Sequence, residues 1–239
     1  SICESAVKNQ SVIDYFIEKL ENKIVTKDKD SSSNNIIKRI NLSNFEKLPR
    51  TVKVLLVRQI LGKYPWRKYQ WNEIDKILKS AKVGKVYSFD DFEILKDRQD
   101  WIIRYKFKVN LKPINVRLNN AVHCGIYVVR VRKVKKYLFI DDPNIEIISG
   151  DKIVNNKLVL RTWQNGDIFK PLGMHGKKKI SDFLTDEKIN KFDKENQLVL
   201  TANDEIIWLC GRRISETVKI TKDTKHYLEL SMNTNVGEI

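Results

Sequence analysis

Residues 101–140 read WIIRYKFKVNLKPINVRLNNAVHCGIYVVRVRKVKKYLFI, and these forty positions hold no Asp or Glu. Ten cations lie among them: Arg104, Lys106, Lys108, Lys112, Arg117, Arg130, Arg132, Lys133, Lys135 and Lys136. Ile103, Tyr105 and Phe107 alternate with Arg104, Lys106 and Lys108, and Val129 and Val131 alternate with Arg130 and Arg132. A period of two sends successive side chains to opposite faces of an extended chain, so both segments predict strands with one apolar and one cationic face. Rows of like charge about 5 Å apart repel each other, and a polyanion relieves that repulsion. Nucleic acid is the expected class of partner.

Outside this stretch the charges nearly balance. The 239 residues carry a formal charge of +15, with 20 basic and 14 acidic side chains in residues 1–100 and 15 and 16 in residues 141–239. Two thirds of the net charge therefore sits in one sixth of the chain. A hydrophobic content of 41% is that of a folded protein. Apolar runs such as Val54-Leu55-Leu56-Val57 fall far short of the ~20 residues that span a bilayer, so no membrane partner is expected. Cys3, Cys124 and Cys210 lack CxxC spacing and are odd in number, which argues against a disulfide framework or a zinc ribbon and for a reducing cytoplasm. The chain opens on Ser1 rather than Met, which suits a piece of something longer.

Residues 2–27 have helical periodicity, and TKDKDSSSNN at 26–35 reads as a linker or loop. Helical pattern is expected again from Ile36, with Ser43 and Glu46 as a capping box and a further helix from Pro49 through Leu61. A helix over Gln70–Ala81 follows, then strands at Val86–Phe89, Phe92–Leu95 and Trp101–Phe107. Beyond residue 121 strands are expected at Gly125–Val131, Tyr137–Ile140, Ile145–Ile148, Lys157–Trp163, Leu198–Ala202, Ile206–Leu209 and Tyr227–Leu230, broken by one helix over Lys178–Lys188. The fold class is α+β: a helical N-terminal part with a small sheet over 1–110, a connection over 111–135, and a strand-rich α+β domain over 136–239.

The most distinctive segment is Arg161–Lys179, RTWQNGDIFKPLGMHGKKK. Asn165-Gly166 signals a turn, while Pro171, Gly173 and Gly176 keep the following loop irregular. Lys177, Lys178 and Lys179 then stand at the start of a helix, an end the helix dipole already makes positive, so an anion such as phosphate would make the placement favourable. In a purely structural account these lysines fan into water and Lys178 pairs with Asp182. The spacing is not that of a Walker A loop. Asp182, Asp186 and Glu187 with His175 form a weaker candidate for a metal-dependent phosphoesterase set. His123 and His226 read as sheet residues, Cys210 as a buried thiol, and Trp163 and Trp208 as core. An exposed Trp66 or Trp71 would instead offer a base a stacking surface.

Arg161-x-Trp163-x-x-Gly166-Asp167-x-Phe169-x-Pro171-Leu172-Gly173-Met174-x-Gly176, followed by Lys178-Lys179-Ile180-Ser181-Asp182-Phe183-Leu184 and Lys188-Ile189, closely resembles the C-terminal domain of the tRNA(Ile)-lysidine synthetase family. Glu205-Ile206-Ile207-Trp208 and Gly211-Arg212-Arg213-Ile214-Ser215, with Val218-Lys219, are similar to the end of that domain. Leu48-Pro49, the helix Gln70–Leu78, and Gly84-Lys85 leading to Phe92-Glu93-Ile94-Leu95 are similar, more loosely, to the substrate-binding domain before it. The resemblance spans about residues 45–232. Asn190 stands where the family often has Pro, and no Arg occupies the turn near Phe192-Asp193-Lys194.

The resemblance implies a parent enzyme that activates the C2 oxygen of the wobble cytidine of tRNA(Ile) with ATP and Mg, after which the amine of lysine displaces AMP to give lysidine. The family's ATP-binding domain carries an SGGxDS loop, and no SGG occurs in this chain, so the chain by itself is expected to hold no cofactor, no metal and no catalytic residue. Its expected partners are tRNA(Ile) and an N-terminal catalytic domain of the same polypeptide, with a homodimer left open. The alternative is a free-standing RNA-binding adaptor with its own start codon close to Ser1. Expected RNA contacts are Lys177, Lys178, Lys179, Arg212, Arg213 and Lys219 from the motif region, and Arg104, Lys106, Arg130 and Arg132 from the distribution of charge.

Overall fold

The structure, a computed structural model, describes residues 2–26, 36–61, 68–79, 82–89, 91–106, 112–125, 127–136, 142, 144–153 and 157–234. The strand expected at Tyr137–Ile140, Trp66, Phe107, Lys108 and most of the 26–35 segment lie outside these residues, as does the side chain of Trp71. The chain divides into two compact units, Ser1–Phe107 and Lys108–Ile239.

The first unit opens with α1 (Ile2–Ile24), β1 (Val25–Thr26), β2 (Ile36–Asn41), α2 (Leu42–Phe45), α3 (Arg50–Ile60) and α4 (Lys68–Lys79), followed by β3 (Lys85–Ser88), β4 (Phe92–Lys96) and β5 (Asp100–Tyr105). Its five strands form an antiparallel sheet in the order β1-β2-β5-β4-β3. The helices cover one face through a core that includes Ile17, Ile24, Phe45, Leu56, Val57, Ile60, Ile74, Ile77, Ile94, Trp101 and Ile103. The helical pattern expected from Ile36 is instead strand β2, whose β-branched Ile36, Ile37 and Ile40 suit a pleated surface and which pairs with β5. The expected capping box is absent too. Asn41 caps α2, its side-chain oxygen accepting from the Asn44 amide at 3.3 Å and the Ser43 hydroxyl at 2.6 Å. Pro49 occupies the cap position of α3.

The period-two reading of β5 fails in a specific way. Trp101, Ile102 and Ile103 are buried in succession, whereas Tyr105 is 58% exposed. Ile102 faces away from the helices, paired with Leu95, and both are fully buried. On that same second face Arg104 donates from Nε and Nη2 to Glu93 Oε2 at 3.0 and 2.7 Å. Burial pushes the Glu93 carboxyl up, but hydrogen bonds from Arg104 and Ser88 outweigh it and hold the group below its ordinary value.

The second unit contains β6 (Ile114–Val116), β7 (Ala121–Cys124), β8 (Tyr127–Val134), β9 (Ile145–Ser149), β10 (Leu158–Thr162), β11 (Ile168–Phe169), β12 (Lys178–Lys179), α5 (Ile180–Asp186), α6 (Lys191–Glu195), β13 (Leu198–Ala202), β14 (Glu205–Leu209), β15 (Arg213–Ile214), a single 3-10 turn at Glu216–Val218, and β16 (Tyr227–Thr234). The fold class is α+β as expected, but the stretch 111–135 is no connection: β6, β7 and β8 are strands of this unit. Two short helices stand where one was expected. The expected start of the long helix, Lys178-Lys179, is a strand paired with Ile168-Phe169.

Two antiparallel sheets, β15-β14-β13-β10-β6 and β7-β8-β16-β9, share one core. Leu158, Leu160, Leu198, Leu200, Ile207 and Trp208 from the first meet Val129, Val131, Ile148, Leu228 and Leu230 from the second. The opposite face of the five-stranded sheet offers Val199, Ile206 and Leu209 to Phe169, Ile180, Phe183 and Leu184. Every residue of β13 is therefore buried, which explains its uninterrupted apolar reading LVLTA. Cys124 and Cys210 lie in the shared core as free thiols; burial pushes Cys124 up to about 11 and Cys210 well above its ordinary value. Leu200→Ala should cost about 2–5 kcal/mol, read as a lowered midpoint in denaturant unfolding with an unchanged slope.

Candidate nucleic-acid interface

The Arg161–Lys179 motif is organised around Asp167. Arg161, the fourth residue of β10, donates from Nη1 to Asp167 Oδ2 at 2.7 Å and from Nη2 to Oδ1 at 2.9 Å. The Gln164 amide adds a third bond to the carboxylate at 2.7 Å, closing the Gln164–Asp167 turn whose Gly166 takes φ +95°. The Asp167 carbonyl accepts from the Ile180 amide at 2.9 Å, which sets the start of α5. Burial opposes ionisation of Asp167, but the hydrogen bonds from Arg161 and Gln164 prevail and hold its carboxyl below the ordinary value.

From this joint the β11–β12 hairpin carries the loop 170–177 outward. Register places Ile168 opposite Lys179 and Phe169 opposite Lys178. Phe169 is buried against Phe183, ring centroids 5.3 Å apart, so Lys178 is drawn over the Phe183 ring and bonds Asp186 at 2.5 Å. Ile168 and Lys179 are both exposed. The loop is pinned along the 214–216 segment: the Leu172 amide donates to the Ile214 carbonyl at 3.0 Å, the Glu216 amide to the Lys170 carbonyl at 2.7 Å, and the Gly173 amide to Glu216 Oε2 at 2.9 Å. Gly173 takes φ +82°, a value that side chains other than glycine adopt only with strain. The Gly173 amide, then Lys219, hold the Glu216 carboxyl below its ordinary value, and Lys170 adds to the effect.

The ten expected contacts separate into distinct environments. Lys177 and Lys179 are exposed and have no carboxylate partner among the described residues. Lys178 is bound to Asp186, not to Asp182, and Lys219 is paired with Glu216. Arg212 donates to Gln197 Oε1 at 2.5 Å; burial lowers its pKa, and Asp193, Tyr127 and Glu187 surround it. Arg212 is thus a buttress, and the neighbouring Tyr127 hydroxyl is pushed up to about 12, chiefly by burial. Arg213 is exposed on β15. Arg130 is exposed on β8 between Ala121 and Ser231, whereas Arg132 two residues on donates to both oxygens of Glu229 at 2.6 and 2.9 Å. In the first unit Arg104 is consumed by Glu93, while Lys106 is exposed.

The structure also settles the neighbouring readings. Trp208 is fully buried, so it offers no face to a base, and Trp163 is half-buried with Nε1 donating to the Lys194 carbonyl at 2.5 Å. Asp186 is engaged by Lys178, and among the described residues no cluster of His, Cys, Asp and Glu has the form of a metal site. His226 lies against Asp151, with Nδ1 2.8 Å from Oδ1. No helix among the described residues is long and apolar enough to cross a membrane.

Residues 158–230, which hold this hairpin and its supports, match the family model described as the TilS substrate C-terminal domain. The second unit therefore carries a domain of the TilS C-terminal class. The tRNA(Ile)-lysidine synthase of Parabacteroides distasonis is 25% identical to this chain over 232 residues, covering 92% of this chain and 48% of the relative. That of Bacteroides thetaiotaomicron is 46% identical over 79 residues, 33% of this chain and 18% of the relative. The crystal structure of a TilS C-terminal domain aligns with 53% of this chain and all of its own length, at 16% identity and a TM-score of 0.46. The resemblance read from the Arg161–Phe183 motif is borne out over residues 158–230, which match the TilS C-terminal domain, and a free-standing adaptor is not favoured. It spans about half the length of the first of these relatives and less of the second.

The Asp167 joint has a pH signature. A carboxyl whose folded pKa lies below its unfolded value stabilises the native state fully above the unfolded value of about 4, and this contribution is lost as pH falls through the folded pKa. Stability of the chain should decline on acidification below about pH 4, and Asp167→Asn should flatten part of that decline while lowering stability at pH 7, both read by denaturant titration across pH.

Proposed function

We propose that this chain is the tRNA-binding part of a longer enzyme that forms lysidine on tRNA(Ile). The observation that carries the reading is the contrast between cations: Arg104, Arg132, Lys178 and Lys219 meet carboxylates, whereas Lys177 and Lys179 stand exposed at a hairpin fixed by Asp167 and Glu216. Folded RNA is recognised largely through phosphates, 2′-hydroxyls and shape, which calls for fixed cations on a rigid frame rather than a titrating pocket. The relatives' names supply the particular RNA. In this reading Arg213 and Arg130 extend the contact surface of the second unit, and Lys106 contributes from the first. ATP, Mg and lysine belong to a catalytic domain elsewhere in the longer polypeptide, and a cytoplasmic setting goes with tRNA as partner.

The test is a titration of the full chain with tRNA(Ile) and a noncognate tRNA over a range of salt. Affinity should fall steeply with salt, since each neutralised phosphate releases counterions. Charge reversal at both Lys177 and Lys179 should weaken binding by roughly tenfold or more and reduce the log-log salt slope by about 2. The same reversal at Lys27 and Lys29, in the expected linker, should do far less. Equal losses at the two places would refute a localised site.

A further inference from the structure

A cavity of about 780 Å³ opens on the first unit, walled by the start of α2, the end of α4 and the turn that joins β4 to β5. Backbone bonds tie these walls together. The Leu42 amide donates to the Gln99 carbonyl at 2.8 Å, which sets Asn41 beside the β4–β5 turn, and the Gly84 amide donates to the Lys96 carbonyl at 2.7 Å, which sets Val83 beside the end of β4. The volume suits a small organic molecule. The family match does not reach it, since the matched residues begin at 158.

The chemistry of the walls is mixed. Leu42, Leu78 and Val83 are apolar, and Val83 is 50% exposed. Lys79, Lys96 and Arg98 bring three cations, Glu46 and Asp97 two carboxylates. The side chain of Lys96 is only 10% exposed, and Glu46 Oε1 stands 3.5 Å from its Nζ on a side chain that is 60% exposed. A charge-assisted hydrogen bond is about 2.7–2.9 Å long and an ammonium has three donors, so this contact does not exhaust them. Burying an ammonium costs stability unless charge and hydrogen bonds meet it, and an anion entering from the cavity supplies both. Asn41 Oδ1 already accepts from the Ser43 hydroxyl and the Asn44 amide, which leaves Nδ2 as the donor that this side chain has to give.

We infer that this cavity binds a free ribonucleoside 5′-monophosphate. The phosphate meets Lys96, with Lys79 and Arg98 completing its charge; Asp97 and Glu46 accept from the ribose hydroxyls. The base lies on Leu42, Leu78 and Val83, and Asn41 and Gln99 reach its polar edge. Carboxylates suit a bare anion poorly, and three cations suit an uncharged nucleoside poorly. Both together beside an apolar wall select one ligand that carries phosphate, hydroxyls and a flat body. A nucleotide at the end of an RNA strand shares this chemistry, but a phosphate monoester approaches a charge of about −2 where a diester carries about one less, and the three cations favour the former. The inference does not depend on the RNA-binding reading above.

The experiment is calorimetric titration of the full chain with AMP, adenosine, inorganic phosphate and a short single-stranded RNA. AMP should bind roughly tenfold or more tightly than adenosine or phosphate. Lys96→Met keeps the length of the side chain and removes its charge, and Val83→Glu adds a carboxylate to the wall at an exposed position; each should weaken AMP by roughly tenfold or more. Val83→Glu should leave the unfolding temperature without ligand unchanged, so its loss of binding is not a loss of fold. No binding of AMP at millimolar concentration, phosphate binding as tightly as AMP, or both variants binding AMP as the unaltered chain does would overturn the inference. Displacement of AMP by an equal concentration of the RNA would overturn the free nucleotide as the ligand. The Lys177/Lys179 charge reversal should keep AMP affinity within about twofold while tRNA binding falls, so the proposed function and this inference stand or fail separately.

Discussion

Arg161 and Asp167 are joined by two charge-assisted hydrogen bonds, and the geometry of the β11–β12 hairpin follows from that joint. Arg161 belongs to β10 in the larger sheet of the second unit, where it pairs with Val199 of β13. Asp167 transmits that fixity in two directions. Its carboxylate closes the turn before β11, and its carbonyl captures the first amide of α5. Phe169 and Phe183 then pack edge to face beneath the hairpin. A loop built in this way would meet a ligand already ordered, without the conformational entropy loss of a free loop.

A second constraint is the pairing of charge across strands. Glu93 neutralises Arg104 from the adjacent strand, and Glu229 neutralises Arg132 from 97 residues away. Both carboxylates are themselves poorly exposed, so removing either arginine would leave a poorly solvated carboxylate without its partner. The cationic character of residues 101–140 is thus partly spent on holding sheets together. Arg130 and Lys106 of the same stretch stay exposed.

This separates what could be read in the sequence from what could not. The motif from Arg161 to Leu184 pointed to the domain model that matches residues 158–230 because its glycines, its Pro171 and its paired Arg161 and Asp167 each answer a local demand of the hairpin. The strands β10, β13, β14 and β16 were legible from unbroken or alternating apolar runs. The distribution of charge misled at Arg104 and Arg132, since a window along the chain cannot see an acid contributed by a neighbouring strand. The motif reading grouped Lys178 with Lys177 and Lys179, but the side it takes is set by its register with the buried Phe169. β2 was mistaken for a helix because its role is fixed by the remote β5. The strands β6 and β7 escaped notice because three and four residues carry too little periodicity to register.

The two buried thiols give the second unit a built-in chemical clock. Alkylating agents attack the thiolate, and both Cys124 and Cys210 are sealed among apolar side chains that suppress that form. Modification at either position must therefore wait for the sheets to part. Its rate in a mild labelling reaction reports how often the interior opens, without any engineered probe.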